Sequence, residues 1–286
     1  MTAVSLNEVL PEAYSNGYAL PGFVVLGWED AVAFVEASEE TGYPIVIQAG
    51  PGCREHTPIA VLAKMFRELA DKTETKIVCH LDHTVSEDEC KMAINEGFTS
   101  VMYDGSSLSL DENINQTLKI CKIAKKYSIS VEAELGFVGY AGKNNSGLTD
   151  PDEAKKFIEE TQVDALAVSV GNIHLQESQS NTIDKLLLDQ IQKKTNCPLV
   201  LHGASGIPYK LRKNLAVNSS ICKFNIGTEL RQEFGRRLRK VLNKKMDEFD
   251  RIKILSKVIP PMKEVAKEII LNLRGCLLYT SPSPRD

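Results

Sequence analysis

The stretch KIVCHLDHTVSEDECKMAINEGFTSVMYDG (76–105) holds one complete unit of the repeat that decides the fold. A continuous apolar run (76–82) is followed by Ser86 with an acidic first turn, then by an amphipathic segment, Gly97 and a second apolar run (100–105). Serine is favoured at helix N-caps, and glycine is favoured just beyond helix C-termini. Strands that are apolar along their whole length are typical of parallel sheets buried on both faces. The stretch therefore predicts a strand, a helix and a second strand parallel to the first.

The same unit recurs along the chain. Eight runs of strand length are found at 20–26, 44–50, 76–82, 100–105, 130–136, 165–171, 198–203 and 221–227. Helices are predicted between them, with helix ends at Gly42 and at Asp150-Pro151. Eight such units predict an α/β fold of the (β/α)8 TIM barrel type. A doubly wound open sheet is the alternative, which is disfavoured because no GxGxxG turn follows the first strand.

The repeat accounts for one domain, predicted to span residues 1–275. A leading helix (5–16), a basic helix (229–250) and a last helix (262–274) are expected to close the ends of the barrel. Residues 276–286 contain two Ser-Pro steps and no amphipathic period, so this tail is expected to be non-native or disordered.

Composition favours a small-molecule site. The chain has 286 residues, of which 43% are hydrophobic and 25% charged, and this composition excludes disordered and collagen-like classes. A net charge of −4 gives no electrostatic case for nucleic acid or an anionic membrane as a partner. The seven cysteines form no CxxC pair and are expected to be reduced, as in a cytoplasmic protein. No signal peptide or membrane span is predicted.

Four of the five histidines fall at predicted strand ends, where barrel enzymes place their active sites. Three imidazoles from separate strands with one open position are typical of a catalytic zinc site. We predict His83, His174 and His202 as ligands, with His80 behind them. A lone histidine at a strand end is more often a hydrogen-bonded core residue, but three on one rim favour a metal site.

Glycine-rich turns follow the seventh and eighth strands, GASG at 203–206 and NIGT at 225–228. Barrels commonly bind phosphate there, through backbone N–H groups and a helix N-terminus. Ser205 and Thr228 would add hydroxyl donors. The two turns together predict a phosphate pocket.

These motifs resemble one family. They are HLDH (80–83), GFTSVMYDGS (97–106), VEAELG (131–136), LTDPDEAKKFIEETQVDALAVSVGNIH (148–174), LVLHGASGIP (199–208) and FNIGTEL (224–230). In this order they resemble the class II, metal-dependent fructose-bisphosphate and tagatose-bisphosphate aldolases over roughly residues 5–274. The resemblance implies a lyase of carbohydrate metabolism, including glycolysis. It would cleave a ketose bisphosphate into dihydroxyacetone phosphate and an aldehyde through a zinc-stabilised enediolate, as a homodimer or homotetramer.

The resemblance also implies residue roles. It assigns His83, His174 and His202 as zinc ligands. It assigns Asp82 as the acid that exchanges a proton with the aldehyde oxygen. Asp104 and Glu134 match carboxylates that can hold a second cation. A monovalent cation is implied beside the substrate phosphate. The implied substrate and phosphate set is Gly171, Gly203, Ser205, Asn225, Gly227 and Thr228.

Departures from the family pattern indicate a changed substrate. The loop FVGYAGKNNSG (137–147) lacks the carboxylate that removes a proton from dihydroxyacetone phosphate, which leaves Tyr140, Glu132 and Glu134 as alternatives. Gly227 stands where an aspartate is usual. The sequences Leu175-Gln176 and VVLGWED (24–30) replace a Gly/Lys turn and a Phe-Asn pair.

Four further alternatives concern single residues near the rim and the enzyme class. Arg54 is either a fork for an anionic ligand or a solvated loop residue, with His56 on the same rim. Lys143 is either part of a lid or an ordinary loop lysine. The missing loop acid favours, as a second hypothesis, a catalytically silent metal-binding or regulatory subunit. A metal-dependent hydrolase is disfavoured because the first strand has no HxH.

Overall fold

The computed structural model describes residues 2–139 and 147–275. Three predictions lie outside these residues: Tyr140 as a base, Lys143 as a lid residue, and the character of the 276–286 tail. In the two described ranges, no helix has both the length and the apolar character that crossing a bilayer requires.

Eight parallel strands form a closed barrel, as predicted. Their chain neighbours are their sheet neighbours, and the last strand pairs with the first, for example at Gly22 and Asn225. The strands are β2 (Leu20–Val24), β3 (Ile45–Ala49), β4 (Ile77–Thr84), β5 (Ser100–Tyr103), β6 (Ser130–Leu135), β7 (Ala165–Val168), β8 (Leu199–Leu201) and β9 (Ile221–Ile226). A short strand that sequence analysis missed, β1 (Ala3–Val4), adds to the amino end of β4.

Helices surround the barrel. They are α1 (Leu10–Asn16), α2 (Trp28–Thr41), α3 (Pro51–His56), α4 (Ile59–Ala70), α5 (Glu87–Glu96), α6 (Leu110–Lys125), α7 (Pro151–Thr161), α8 (Lys185–Lys194), α9 (Tyr209–Asn218), α10 (Thr228–Lys244), α11 (Arg251–Leu255) and α12 (Ile259–Leu273). The predicted caps are confirmed, since Ser86 and Asp150 accept hydrogen bonds from first-turn N–H groups. Gly42 and Gly97 end their helices in the left-handed region.

The amino-terminal segment closes one end of the barrel. Leu6, Val9 and Leu10 are buried against barrel-interior residues such as Val78 and Met102. The hydroxyl of Ser130 accepts a hydrogen bond from the N–H of Leu6, which fixes the segment under the strands. This closure leaves the carboxyl ends of the strands as the open face of the barrel.

The carboxyl-terminal helices differ from expectation. α12 begins at Ile259 and not at 262, because Pro260 and Pro261 fall in its first turn, where a missing N–H is tolerated. It packs along α2 on the outside of the barrel, with Lys263 and Lys267 paired to Glu40, and does not cover an end. The predicted basic helix (229–250) corresponds to α10, which ends at Lys244, and the next helix, α11, begins beyond the predicted range at Arg251.

Candidate functional site

A cavity of about 260 Å³ opens at the carboxyl ends of the barrel strands. It is lined by Val24, Leu26, Gln48, Gly50, Pro51, Gly52, Cys53, Asp82, His83, His174, Leu175, Gly203, Ser205, Asn225, Gly227, Thr228 and Arg231. Its position is the one that barrel enzymes use for catalysis. Of the predicted substrate residues, five line it and Gly171 does not.

The structure brings the three predicted metal ligands together. One ring nitrogen each of His83, His174 and His202 can be chosen so that all three lie within 4.8 Å of one another. The ring centroids are 5.1 Å apart for His83 and His174, 4.5 Å for His83 and His202, and 5.6 Å for His174 and His202. The rings come from β4, from the segment after β7 and from the end of β8, which explains why residues far apart in sequence converge.

The backbone at His83, near the end of β4, has a strained conformation and is hydrogen-bonded by the side chain of Arg54. His83 has φ of 49°, which is unusual for a residue other than glycine and is often found at active sites. The guanidinium of Arg54 donates to the backbone carbonyls of Asp82 (2.5 Å) and His83 (3.0 Å). Arg54 is therefore not a solvated arginine, and both of its terminal guanidinium nitrogens bind backbone carbonyls, not a ligand. His56 is exposed and bonded to Thr57, away from the cavity.

The carboxylates of Asp104 and Glu134 lie next to the histidines. Asp104 accepts a hydrogen bond from Nδ1 of His83 at 2.9 Å, an arrangement that fixes the ring and leaves Nε2 for another partner. Glu134 Oε2 lies 3.3 Å from Nδ1 of His202 and 3.8 Å from Nδ1 of His83. His83, Asp104 and Glu134 also form a group with metal-ligand spacing, the arrangement expected of residues that hold a second cation.

Asp82 is clamped by two amides. Its Oδ2 accepts from Nε2 of Gln48 at 3.0 Å, and its Oδ1 accepts from Nδ2 of Asn225 at 3.1 Å. Burial would raise the pKa of Asp82, but His83 and Lys223 lower it, so the group is a carboxylate. It stands at the cavity wall next to His83, where it can exchange a proton with a bound ligand.

The clamp depends on the glycine at position 22. A Cβ at Gly22 would lie 2.4 Å from Oε1 of Gln48 and 2.8 Å from Oδ1 of Asn225. No real Cβ occupies such a space, so glycine at this position allows both amides to reach Asp82.

A buried ion pair lies beneath the histidines. Lys223 Nζ is 2.8 Å from Oε2 of Glu132, and Oε1 of Glu132 is 3.0 Å from Nε2 of His202. All three residues are fully buried. Burial opposes ionisation of Glu132, but Lys223 and the hydrogen bond from His202 hold its pKa well below the usual range. His80 lies in the same layer, with its Nδ1 2.8 Å from the hydroxyl of Ser100.

The surroundings shift the pKa values of the three rings in different directions. Burial would lower the pKa of His83, but Asp82 raises it above the usual value. Burial and the neighbouring rings lower the pKa of His174 well below that value. Burial would lower the pKa of His202, but the carboxylates of Glu132 and Glu134 outweigh it and raise the pKa to about 10. Metal ligands must lose their protons, so binding of an ion at His202 would release one.

The two glycine-rich turns lie side by side in the cavity wall and are hydrogen-bonded to each other. The hydroxyl of Ser205 accepts hydrogen bonds from the N–H groups of Gly227 and Glu229, each at 3.2 Å. These N–H groups belong to the first turn of α10, whose positive end attracts anions. The Arg231 guanidinium lies near the space above Gly227. The arrangement suits a phosphate.

Gly171 has a conformational role in the described structure. Its φ is 99°, and a Cβ there would lie 2.6 Å from the carbonyl oxygen of Thr182. The turn that it permits leads to His174.

Sequence reasoning assigned no role to Gln48, Lys223 or Arg231. A signal was present for Lys223, because a charge inside the otherwise apolar strand ICKFNI requires a buried partner. The roles of Gln48 and Arg231 depend on which distant strand end or loop lies next to them.

The donor set fits a divalent metal. Nδ1 of His202 and Oε2 of Glu134 are buried, and within the described structure each has only the other, at 3.3 Å, as a polar neighbour within hydrogen-bond distance. Buried polar atoms are nearly always partnered, so these two atoms are suited to hold an ion. Imidazole and carboxylate donors are those that zinc uses in catalytic sites.

Comparisons with known proteins agree with this geometry. A family model described as "Fructose-bisphosphate aldolase class-II" matches residues 4–276. A fructose-bisphosphate aldolase from Helicobacter pylori (strain J99) is 33% identical, covering 92% of this chain and 95% of the relative. The YdjI aldolase from Escherichia coli K12 superposes with a TM-score of 0.83 at 30% identity, covering 95% of this chain and 97% of that one. A putative fructose-1,6-biphosphate aldolase from Coccidioides immitis has a TM-score of 0.83 at 24% identity, covering 94% and 95% of the two chains.

Proposed function

The chain belongs to the class-II fructose-bisphosphate aldolase family, and on that premise we propose that it is a zinc-dependent aldolase acting on a phosphorylated ketose. The observation that carries the proposal is the convergence of three imidazoles beside the clamped Asp82, in a cavity lined by the phosphate-type turns. The reaction would cleave a carbon–carbon bond to release dihydroxyacetone phosphate and an aldehyde, or form that bond in reverse.

His83, His174 and His202 are the proposed metal ligands, through Nε2 of His83 and Nδ1 of His202. Zinc bound there would act as a Lewis acid, stabilising the negative charge that develops next to the ketone by several kcal/mol. Asp104 orients His83 by accepting from its other nitrogen. No lysine Schiff base is required by this chemistry.

Asp82 is the proposed acid and base at the aldehyde oxygen. In cleavage it would take the proton of the hydroxyl whose carbon becomes the aldehyde, and in condensation it would return that proton. The two amide donors, Gln48 and Asn225, fix the carboxylate in one orientation, as positioned proton transfer requires.

The phosphate of dihydroxyacetone phosphate is proposed to bind between the two turns. Gly203, Ser205, Gly227 and Thr228 line that part of the cavity, and Arg231 adds a positive charge. The monovalent cation beside the phosphate stays a prediction.

For the base that removes the carbon-bound proton, the geometry favours Glu134 over Glu132. Glu132 uses both oxygens on Lys223 and His202, whereas Oε2 of Glu134 has only Nδ1 of His202, at 3.3 Å, as a polar neighbour within hydrogen-bond distance in the described ranges. We therefore propose Glu134 for this step when no second cation occupies it.

The remaining proposals concern the substrate, assembly and compartment. The sequence departs from the family pattern at Leu175, Gly227 and residues 24–30. These departures support a ketose substrate that differs from fructose and tagatose bisphosphates in the part beyond the bound phosphate. A homodimer or homotetramer is proposed from family membership. The six described cysteines are all free thiols, which supports a reducing compartment such as the cytoplasm.

Proton exchange tests the function. The zinc-loaded protein is incubated with dihydroxyacetone phosphate in deuterated water, and loss of the hydroxymethyl proton signal is followed by NMR. An aldolase catalyses the exchange, whereas a silent metal-binding subunit gives none. Cleavage of a panel of phosphorylated ketoses, including both bisphosphates and their 1-phosphates, then identifies the substrate.

A further inference from the structure

We propose that Lys223 is a positioning residue: its buried ammonium orients Glu132, which in turn holds the His202 ring so that Nδ1 faces the metal. This inference rests on the proposed function and deepens it, because it names what makes the third ligand competent.

The contacts form a chain with one partner at each step. Lys223 Nζ bonds Oε2 of Glu132 at 2.8 Å, and Oε1 of the same carboxylate bonds Nε2 of His202 at 3.0 Å. None of the three side chains has measurable solvent exposure. With both carboxylate oxygens engaged, neither the carboxylate plane nor the imidazole ring can rotate without losing a buried hydrogen bond.

These hydrogen bonds determine which ring nitrogen of His202 is available to a metal. Because Nε2 of His202 donates to Glu132, Nδ1 is the atom that remains for a metal, and it faces Oε2 of Glu134 at 3.3 Å. His83 is held the opposite way, with Nδ1 on Asp104 and Nε2 remaining. Carboxylates that hold the second nitrogen of a ligating histidine set its tautomer and raise its basicity.

The ammonium also determines which cluster receives the ion. His80, Asp82 and Glu132 form a second group with metal-ligand spacing, deeper in the barrel. Lys223 already supplies a positive charge 2.8 Å from Glu132, so electrostatic repulsion disfavours a divalent cation in that layer. The upper group of three histidines is left as the site.

A merely structural ion pair is the competing explanation. Replacing both members of a buried ion pair by neutral side chains is often harmless to stability. If this pair were only structural, that replacement would leave zinc affinity unchanged. Removing Lys223 alone is not informative, because Glu132 would become an uncompensated buried charge.

Two double variants separate the explanations. Lys223→Met/Glu132→Leu removes both charges and the acceptor for His202, whereas Lys223→Met/Glu132→Gln removes the charges but keeps an acceptor oxygen. Zinc dissociation constants are measured by chelator competition. We expect a 10- to 100-fold loss of affinity for the leucine variant and less than about tenfold for the glutamine variant. Wild-type affinity in a folded leucine variant would overturn the proposal.

Cys222→Ala is the matched control, since Cys222 is buried on the same strand but packs in the amino-terminal part of the core. It should lower stability and leave zinc affinity unchanged. The visible spectrum of the cobalt-substituted protein should change in the leucine variant and not in this control.

The wild-type protein provides a test that needs no variant. NMR of the zinc-loaded protein labelled with ¹⁵N-histidine should show His202 protonated at Nε2, with Nδ1 on the metal. A proton at Nδ1 would overturn the proposal even if the leucine variant fails to fold. Failure of the proposed function is a separate outcome, because it would appear as absent aldol chemistry in a wild-type protein that binds zinc normally.

Discussion

Replacing Asp82 by asparagine should separate proton transfer from metal binding. Both Asp82 oxygens accept amide donors, from Gln48 at 3.0 Å and from Asn225 at 3.1 Å. Asparagine has one acceptor oxygen, so one buried amide loses its partner, which should lower the free energy of unfolding by about 1–3 kcal/mol. The larger effect is chemical. Loss of a positioned acid–base group should reduce kcat for cleavage 10²- to 10⁴-fold, or about 3–5 kcal/mol of barrier.

Three assays check this prediction. Steady-state cleavage gives kcat, chelator competition gives zinc affinity, and deuterium exchange reports proton removal from dihydroxyacetone phosphate. Zinc affinity and exchange should stay within about tenfold of wild type, because Asp82 acts on the aldehyde oxygen. Asp164, a half-buried carboxylate that accepts a hydrogen bond from the N–H of Val131 at the amino ends of the strands, provides the control, and Asp164→Asn should cleave normally. A wild-type kcat in a folded, zinc-loaded Asp82→Asn protein would exclude Asp82 as the acid and base.

Three further variants test other parts of the account. Gly22→Ala should displace the amide of Gln48, lowering the free energy of unfolding by about 1–3 kcal/mol and kcat by up to about 100-fold, as measured by urea denaturation and steady-state kinetics. Burial raises the pKa of Asp30 from its usual value near 4 to about 6, so the folded protein binds this proton more tightly than the unfolded chain. Wild-type stability should fall relative to Asp30→Asn as pH rises from about 4 to about 6, by up to about 3 kcal/mol; parallel curves in paired denaturation experiments would contradict this. Ser205→Ala should raise KM for the phosphorylated substrate about tenfold with kcat little changed, and an unchanged KM would remove Ser205 from the phosphate site.

The barrel was predictable because each strand is buried on both faces and each helix carries its own end signals. Ser86 and Gly97 mark one helix in the sequence and bound it in the structure. The rim was predictable for a related reason, since residues that follow parallel strands must meet at one end. His83 and His202 are 119 positions apart in the chain, yet their ring centroids lie 4.5 Å apart.

Partners across the barrel were not predictable. Arg54 lies on the short helix α3, which directs its guanidinium back onto the end of β4. Its donors therefore bind backbone carbonyl oxygens, whereas the sequence suggested either an anionic ligand or solvent as the partner. The pairing of Glu132 with Lys223 joins strands 91 positions apart, and no local pattern specifies it. A charged residue in an apolar strand indicates only that some buried partner exists.

The proposed chemistry requires three imidazoles to hold one catalytic ion. Protein stripped of metal by a chelator is titrated with zinc, and the cleavage rate of the identified ketose phosphate is recorded at each addition. We expect negligible cleavage without metal and a linear return of activity that reaches its plateau at one zinc per chain. Full activity in the metal-free protein would contradict it.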